Sequence, residues 1–131
     1  MKNVIKPGDQ RTITYLVKGE DVASFQGVVV HNVCATFTLA REVEWATRQY
    51  MFDLREDDEE GIGTFLSINH QAPAFVGEEL VIESTVESLQ GHELICAYII
   101  RVRERVIATG KTGQKVLKKE KIQAIFNLSN Q

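Results

Sequence analysis

Few residues of this chain combine reactive side chains with a recognisable spacing. Thr36 closes the segment Val33-Cys34-Ala35-Thr36, Glu44-Trp45 begins eight residues further on, and Gly63-Thr64 leads into a stretch that ends at His70. A threonine hydroxyl is a poor nucleophile unless a base stands beside it. An imidazole, with an ordinary pKa of about 6.5, can be that base near neutral pH. A glutamate can orient the imidazole, activate a water or attack a carbonyl itself, and the sequence leaves all three roles open. The sequence has no Gly-rich phosphate loop, no His-Glu-x-x-His and no Gly-x-Ser-x-Gly. No prosthetic metal or flavin is expected.

The elements that must position these groups read as one long helix set among strands. Leu39, Val43, Ala46, Tyr50 and Leu54 recur at helical spacing, joined by Ala40 and Met51, which predicts a helix over Thr36–Leu54. Trp45 and Phe52 fall on nearly the opposite side, with Arg41 and Arg48 between. A surface helix needs one apolar face. This one is expected to be covered on more than one side. Acids from Glu56 to Glu60 end it, an unfavourable charge for a helix C-terminus.

Strands are predicted at Thr12–Val17, at Thr64–Gln71, at Glu79–Leu89 with His92–Arg103 as a hairpin about Gln90-Gly91, and at Val106–Leu117. Gly27 to Val30 reads as a short apolar run leading into the helix. Strand, long helix, then antiparallel strands indicates an α+β fold with the helix on one sheet face. The whole chain, 1–131, is read as a single domain with a core over about 8–117 and a basic, then mixed, tail over 118–131 that carries no assignment.

Each reactive residue also has a plain structural reading. Glu44 stands four residues before Arg48, the spacing of a helix ion pair. Thr36 is placed to cap the helix. His70, on an alternating strand, can be a core histidine. His31 and His92 read as incidental, and Asp57–Glu60 as a solvated loop without metal. Arg101, Arg103, Arg105, Lys111, Lys115, Lys118 and Lys119 gather near the end of the chain, as a cationic rim for phosphates or as guards of strand edges.

Composition excludes several classes. Hydrophobic residues make up 44% of the 131, charged residues 25%, and the formal net charge is −3. Those values suit a globular domain with its own core and argue against a nucleic-acid binder, which carries a basic face. Membrane spans of roughly 18–20 apolar residues are absent, and the first residues do not form a signal peptide. A cytoplasmic protein is expected, with Cys34 and Cys96 as buried, reduced thiols.

In order and spacing, Val33 to Thr36, Glu44-Trp45-Ala46, Gly63-Thr64, His70 and Pro73 to Gly77 resemble the hotdog-fold acyl-CoA thioesterases, in particular the fluoroacetyl-CoA thioesterase-like branch. The resemblance covers roughly residues 8 to 117. It implies an antiparallel sheet wrapped around one central helix, and it places the family's Thr/Glu/His catalytic set on Thr36, Glu44 and His70. The glycine whose N–H lies near the thioester falls on Gly63. The aromatic gate of the fluoroacetyl-specific enzymes falls on Val30, in a shorter and differently composed loop, which argues against fluoroacetyl-CoA as the substrate while leaving thioester hydrolysis in place.

Thioester hydrolysis needs an activated water or nucleophile, a proton acceptor and donors for the oxyanion. N–H groups at the helix start and at Gly63 are plausible donors. Val30, Phe25, Phe65 and Phe75 can border an acyl pocket or sit in the core. The leading expectation is an acyl-CoA thioesterase for a short or medium acyl group. A non-catalytic acyl-thioester binding module and an enoyl-thioester hydratase are the alternatives; hydratases use an Asp/His dyad in a motif absent here.

Eight helical residues rise about 12 Å, so Thr36 and Glu44 cannot meet on one regular helix. Either Thr36 folds back ahead of the helix or the two converge across a subunit boundary. A lone sheet exposes edge strands that invite pairing, and the resemblance implies dimers. A homodimer, or a pair of dimers, with each site drawing on two chains is expected.

Overall fold

A computed structural model describes residues 1–129. Five antiparallel strands form the main sheet: β1 (Gln10–Leu16), β4 (Glu59–His70), β5 (Glu79–Gln90), β6 (Glu93–Val102) and β7 (Arg105–Lys118), in the order β1-β5-β6-β7-β4. One long helix, α1 (Thr36–Leu54), packs on it, as the helical spacing predicts. The α+β arrangement expected from the sequence is the one found. No described helix is long and apolar enough to cross a membrane.

Burial follows the periodicities that build each element. Along β6, alternate residues from Leu94 to Val102 are buried, and they meet Leu39, Val43, Ala46, Tyr50, Met51 and Leu54 of α1. Cys34 and Cys96 are free and buried, and burial pushes their thiols up to about 11 and about 12. The opposite side of α1 is not covered by its own sheet. Trp45 and Phe52 stack edge to face there at 6.0 Å, and both are exposed.

Three parts of the chain differ from the sequence reading. Gly27 to Val30 leads into the helix, but as part of a hairpin of its own: β2 (Val22–Phe25) pairs with β3 (Val28–Cys34), which ends one residue before α1. Gln26 and Gly27, with φ of 53° and 80°, supply the two positive φ values that a tight hairpin turn requires. Asp57–Glu60 is not wholly a solvated loop. Glu59 already begins β4 and is buried, accepting from the Met1 amine and then the Glu56 N–H, which lower its pKa. The tail, which the sequence left without an assignment, forms a second helix, α2 (Lys119–Ser129), and its residues 130–131 lie outside the described residues.

The strand β4 closes one edge of the sheet, paired on one side by β7 alone. Its ladder slips between Gly63 and Phe65, leaving Thr64 as an extra residue. Such a bulge bends the strand and re-aims its side chains. Gly113 on β7 makes room for it: a Cβ there would lie 2.4 Å from the Phe65 ring and 2.7 Å from the Thr64 hydroxyl.

Candidate active site

The structure brings the sequence-derived residues together in two pairs. At the start of α1, the Thr36 Oγ1 lies 2.9 Å from His70 Nδ1 at the end of β4. Ala35, not Thr36, is the N-cap, and it offers no side-chain cap. The capping reading of Thr36 therefore gives way to a contact with the imidazole. His70 is half-buried, and the core-histidine reading fails with it. The first N–H groups of a helix have no intrahelical acceptor, so Thr36 begins a turn whose donors are not capped by a side chain.

Glu44 and Gly63 form the second pair. A Cβ on Gly63 would lie 2.7 Å from Glu44 Oε1, so the carboxylate occupies the space that the missing side chain leaves. Glu44 does not pair with Arg48. That guanidinium donates to the Gly61 carbonyl at 3.2 Å and pairs with Glu60 at 3.3 Å. Arg41 is likewise engaged by Glu42 and Asp21. Among the described residues Glu44 has no ion pair. Its carboxylate borders a cavity of about 370 Å³ lined also by Arg41, Trp45, Arg48, Gly63 and Gln114.

The two pairs are apart within one chain. Thr36 is the first residue of α1, so it does not fold back ahead of the helix. Eight residues separate it from Glu44, a rise of about 12 Å. Along β4, Gly63 and His70 are separated by roughly 20 Å of bulged strand.

Val30 stands half-exposed on the β2–β3 hairpin, and Phe25, Phe65 and Phe75 are exposed as well, so none of the four belongs to the core. Phe25 stacks on Phe37, the residue after Thr36, with ring centres 6.4 Å apart. The hairpin thus lies beside the Thr36–His70 pair. Four of the seven basic residues near the end are already paired: Arg101 with Glu83, Arg105 with Glu78, Lys111 with Glu87 and Lys118 with Asp58. Arg103, Lys115 and Lys119 make no ion pair among the described residues.

Gln114 escapes a reading by residue type, since a glutamine on an alternating strand passes for a solvent-facing one. Its parity with Thr112 and Val116, both buried, is the signal that places it inward.

The profile of the FlK family, fluoroacetyl-CoA-specific thioesterases, matches residues 17–120. The chain belongs to this family. It is a hotdog-fold thioesterase, an enzyme that hydrolyses acyl-CoA thioesters. Among solved structures, a Thermus thermophilus hypothetical protein of the thioesterase superfamily is similar at a TM-score of 0.92 and 26% identity, over 98% of this chain and 96% of that one. A single-residue variant of the fluoroacetyl-CoA-specific thioesterase FlK is similar at 0.88 and 21% identity, over 98% and 99%. A hot-dog-like protein from Thermanaerovibrio acidaminovorans is similar at 0.84 and 14% identity, over 92% and 89%. No curated protein matches the sequence.

Proposed function

We propose that the chain hydrolyses a short or medium acyl-CoA in a site shared by two copies, with Thr36 and His70 from one and Glu44 and Gly63 from the other. The observation that supports this reading is the separation of the two pairs. Each pair is built as half of a thioesterase site, and neither half is complete alone.

Edge-to-edge pairing of β4 with its two-fold copy is the arrangement that joins them. In an antiparallel pair centred near Leu66 and Ser67, Gly63 of one chain stands opposite His70 of the other. The middle of β4 suits such pairing: Gly63, Thr64 and Phe65 are all exposed, and an unpaired edge is a template for another strand. Exposed Trp45 and Phe52 on α1 give the same assembly apolar surface to bury.

In the joined site Glu44 is the general base for water, and the Thr36–His70 pair orients and protonates. The Gly63 N–H and the open N–H groups at the start of α1 are the oxyanion donors. The β2–β3 hairpin, with Val30 and Phe25, borders the acyl group. A related FlK variant is known in complex with fluoroacetate and CoA. Val30 replaces the aromatic gate of the resemblance, so a broader acyl group than fluoroacetyl is assigned here. CoA is part of the substrate, and the reaction is assigned no other cofactor. A panel of acyl-CoA esters, with thiol release followed by colour, tests the reading. Turnover of C2–C10 esters is expected; binding without release of thiol would assign a binding module instead.

A further inference from the structure

Gln114 lies directly across the β4–β7 ladder from Gly63. Cross-strand partners send their side chains to the same face of a sheet, with Cβ positions about 5 Å apart. That face is the one Glu44 covers, because Glu44 Oε1 fills the space above Gly63. Gln114 is 2% exposed, and it lines the same cavity as Glu44.

The orientation of its amide is fixed by Thr47, one helical turn beyond Glu44. The Thr47 hydroxyl donates its single proton back into the helix, to the Val43 carbonyl at 3.1 Å. It therefore accepts from Gln114 Nε2, at 3.0 Å. The amide nitrogen is thereby turned to the helix, and Oε1 is left as the buried side-chain oxygen without a partner among the described residues. A desolvated carbonyl without a donor is costly. It is retained at the cavity that holds the unpaired Glu44 carboxylate.

We infer that Gln114 Oε1 and the Glu44 carboxylate together hold the hydrolytic water. The inference rests on the hydrolytic reading above. Both groups are acceptors, so neither can serve as an oxyanion donor. A water between them gives one hydrogen to each, which leaves an oxygen lone pair directed at the acyl carbon. As the new C–O bond forms, Glu44 takes one water proton and the carbonyl π pair moves onto oxygen. Collapse of the oxyanion breaks the C–S bond. The Thr36–His70 pair protonates the departing thiolate and is reloaded by the proton that Glu44 took from water, and free acid and CoA are the products. Gln114 fixes the direction of attack without exchanging a proton.

Gln114→Met keeps the length of the side chain and removes the acceptor. We expect kcat to fall at least tenfold with KM within twofold and the melting temperature within a few degrees of wild type. If kcat stays within threefold, the water-holding role is overturned. A raised KM at unchanged kcat overturns it too, and assigns Oε1 to an N–H of the CoA arm instead. Should this variant not fold, Thr47→Val frees the amide to turn; kcat should fall at least threefold, and an unchanged kcat overturns the role. Glu44→Gln separates this inference from the reading beneath it. Full activity in Glu44→Gln defeats the general-base reading itself. Loss there, with kcat retained in Gln114→Met, defeats the role of Gln114 alone.

Discussion

Thr36 Oγ1 and His70 Nδ1 are in hydrogen-bond contact at 2.9 Å although 34 residues separate them in the chain. The contact joins the first turn of α1 to the last residue of β4. It turns an exposed hydroxyl and a half-buried imidazole into one unit at the rim of the sheet.

Removal of either partner should therefore act on rate and not on folding. His70→Ala and Thr36→Val are each expected to lower kcat by about 10²–10⁴, the range for a lost acid–base group. Thr36→Ser, which keeps the hydroxyl, should retain most of the activity. Steady-state kinetics beside thermal melting checks both, and a loss of activity that tracks a loss of folded protein would refute the assignment.

Two glycines of the same sheet should respond in opposite ways to one added methyl. In Gly63→Ala the new Cβ meets only the flexible end of Glu44, at 2.7 Å. The fold should persist while the carboxylate is displaced, with an expected loss of about 10² in kcat. In Gly110→Ala the Cβ lies 2.0 Å from the Ser67 backbone carbonyl oxygen. There β4 and β7 must separate, and circular dichroism should show a large loss of stability.

The loop between β4 and β5 is held by a pH-sensitive clamp. Arg105 donates to Glu78 through both terminal nitrogens, at 2.8 and 2.6 Å, and also to the Pro73 carbonyl. This guanidinium, with the Phe75 N–H, lowers the Glu78 pKa from its ordinary 4.5 to about 2. A carboxyl whose folded pKa lies below its unfolded one stabilises fully above the unfolded value, and that stabilisation is lost as pH falls through the folded value. The clamp's contribution should thus fade between about pH 4.5 and 2. In Glu78→Gln, melting temperature should fall less steeply across that window than in wild type. An unchanged slope would contradict the clamp.

What the residues disclosed in advance depended on how local their signals are. The bounds of α1 are legible because Leu39, Val43, Ala46, Tyr50 and Leu54 carry a sustained helical period, and each is buried. The β2–β3 hairpin is not, because Val28-Val29-Val30 lacks alternation and all three remain exposed. Only the Gln26-Gly27 turn marks it. Glu59 is hidden among five acids that read as solvated, since its burial depends on a distant amine. The Thr36–His70 contact joins two residues 34 apart that the family resemblance grouped and no local pattern could. The separation of Glu44 from that pair follows from helical rise alone, whereas the place of Glu44 over Gly63 needed the three-dimensional packing.

The central claim, a site shared between two chains, is tested most directly by mixing two inactive variants, Thr36→Ala and Glu44→Ala. A shared site gives each heterodimer one intact site, built from the Thr36 and His70 of one subunit and the Glu44 of the other. Random exchange makes about half the dimers mixed, so the equimolar mixture should recover about one quarter of wild-type activity. No activity above the two parents, in a mixture whose heterodimers are visible by native mass spectrometry, would place the whole site in one chain and contradict the account.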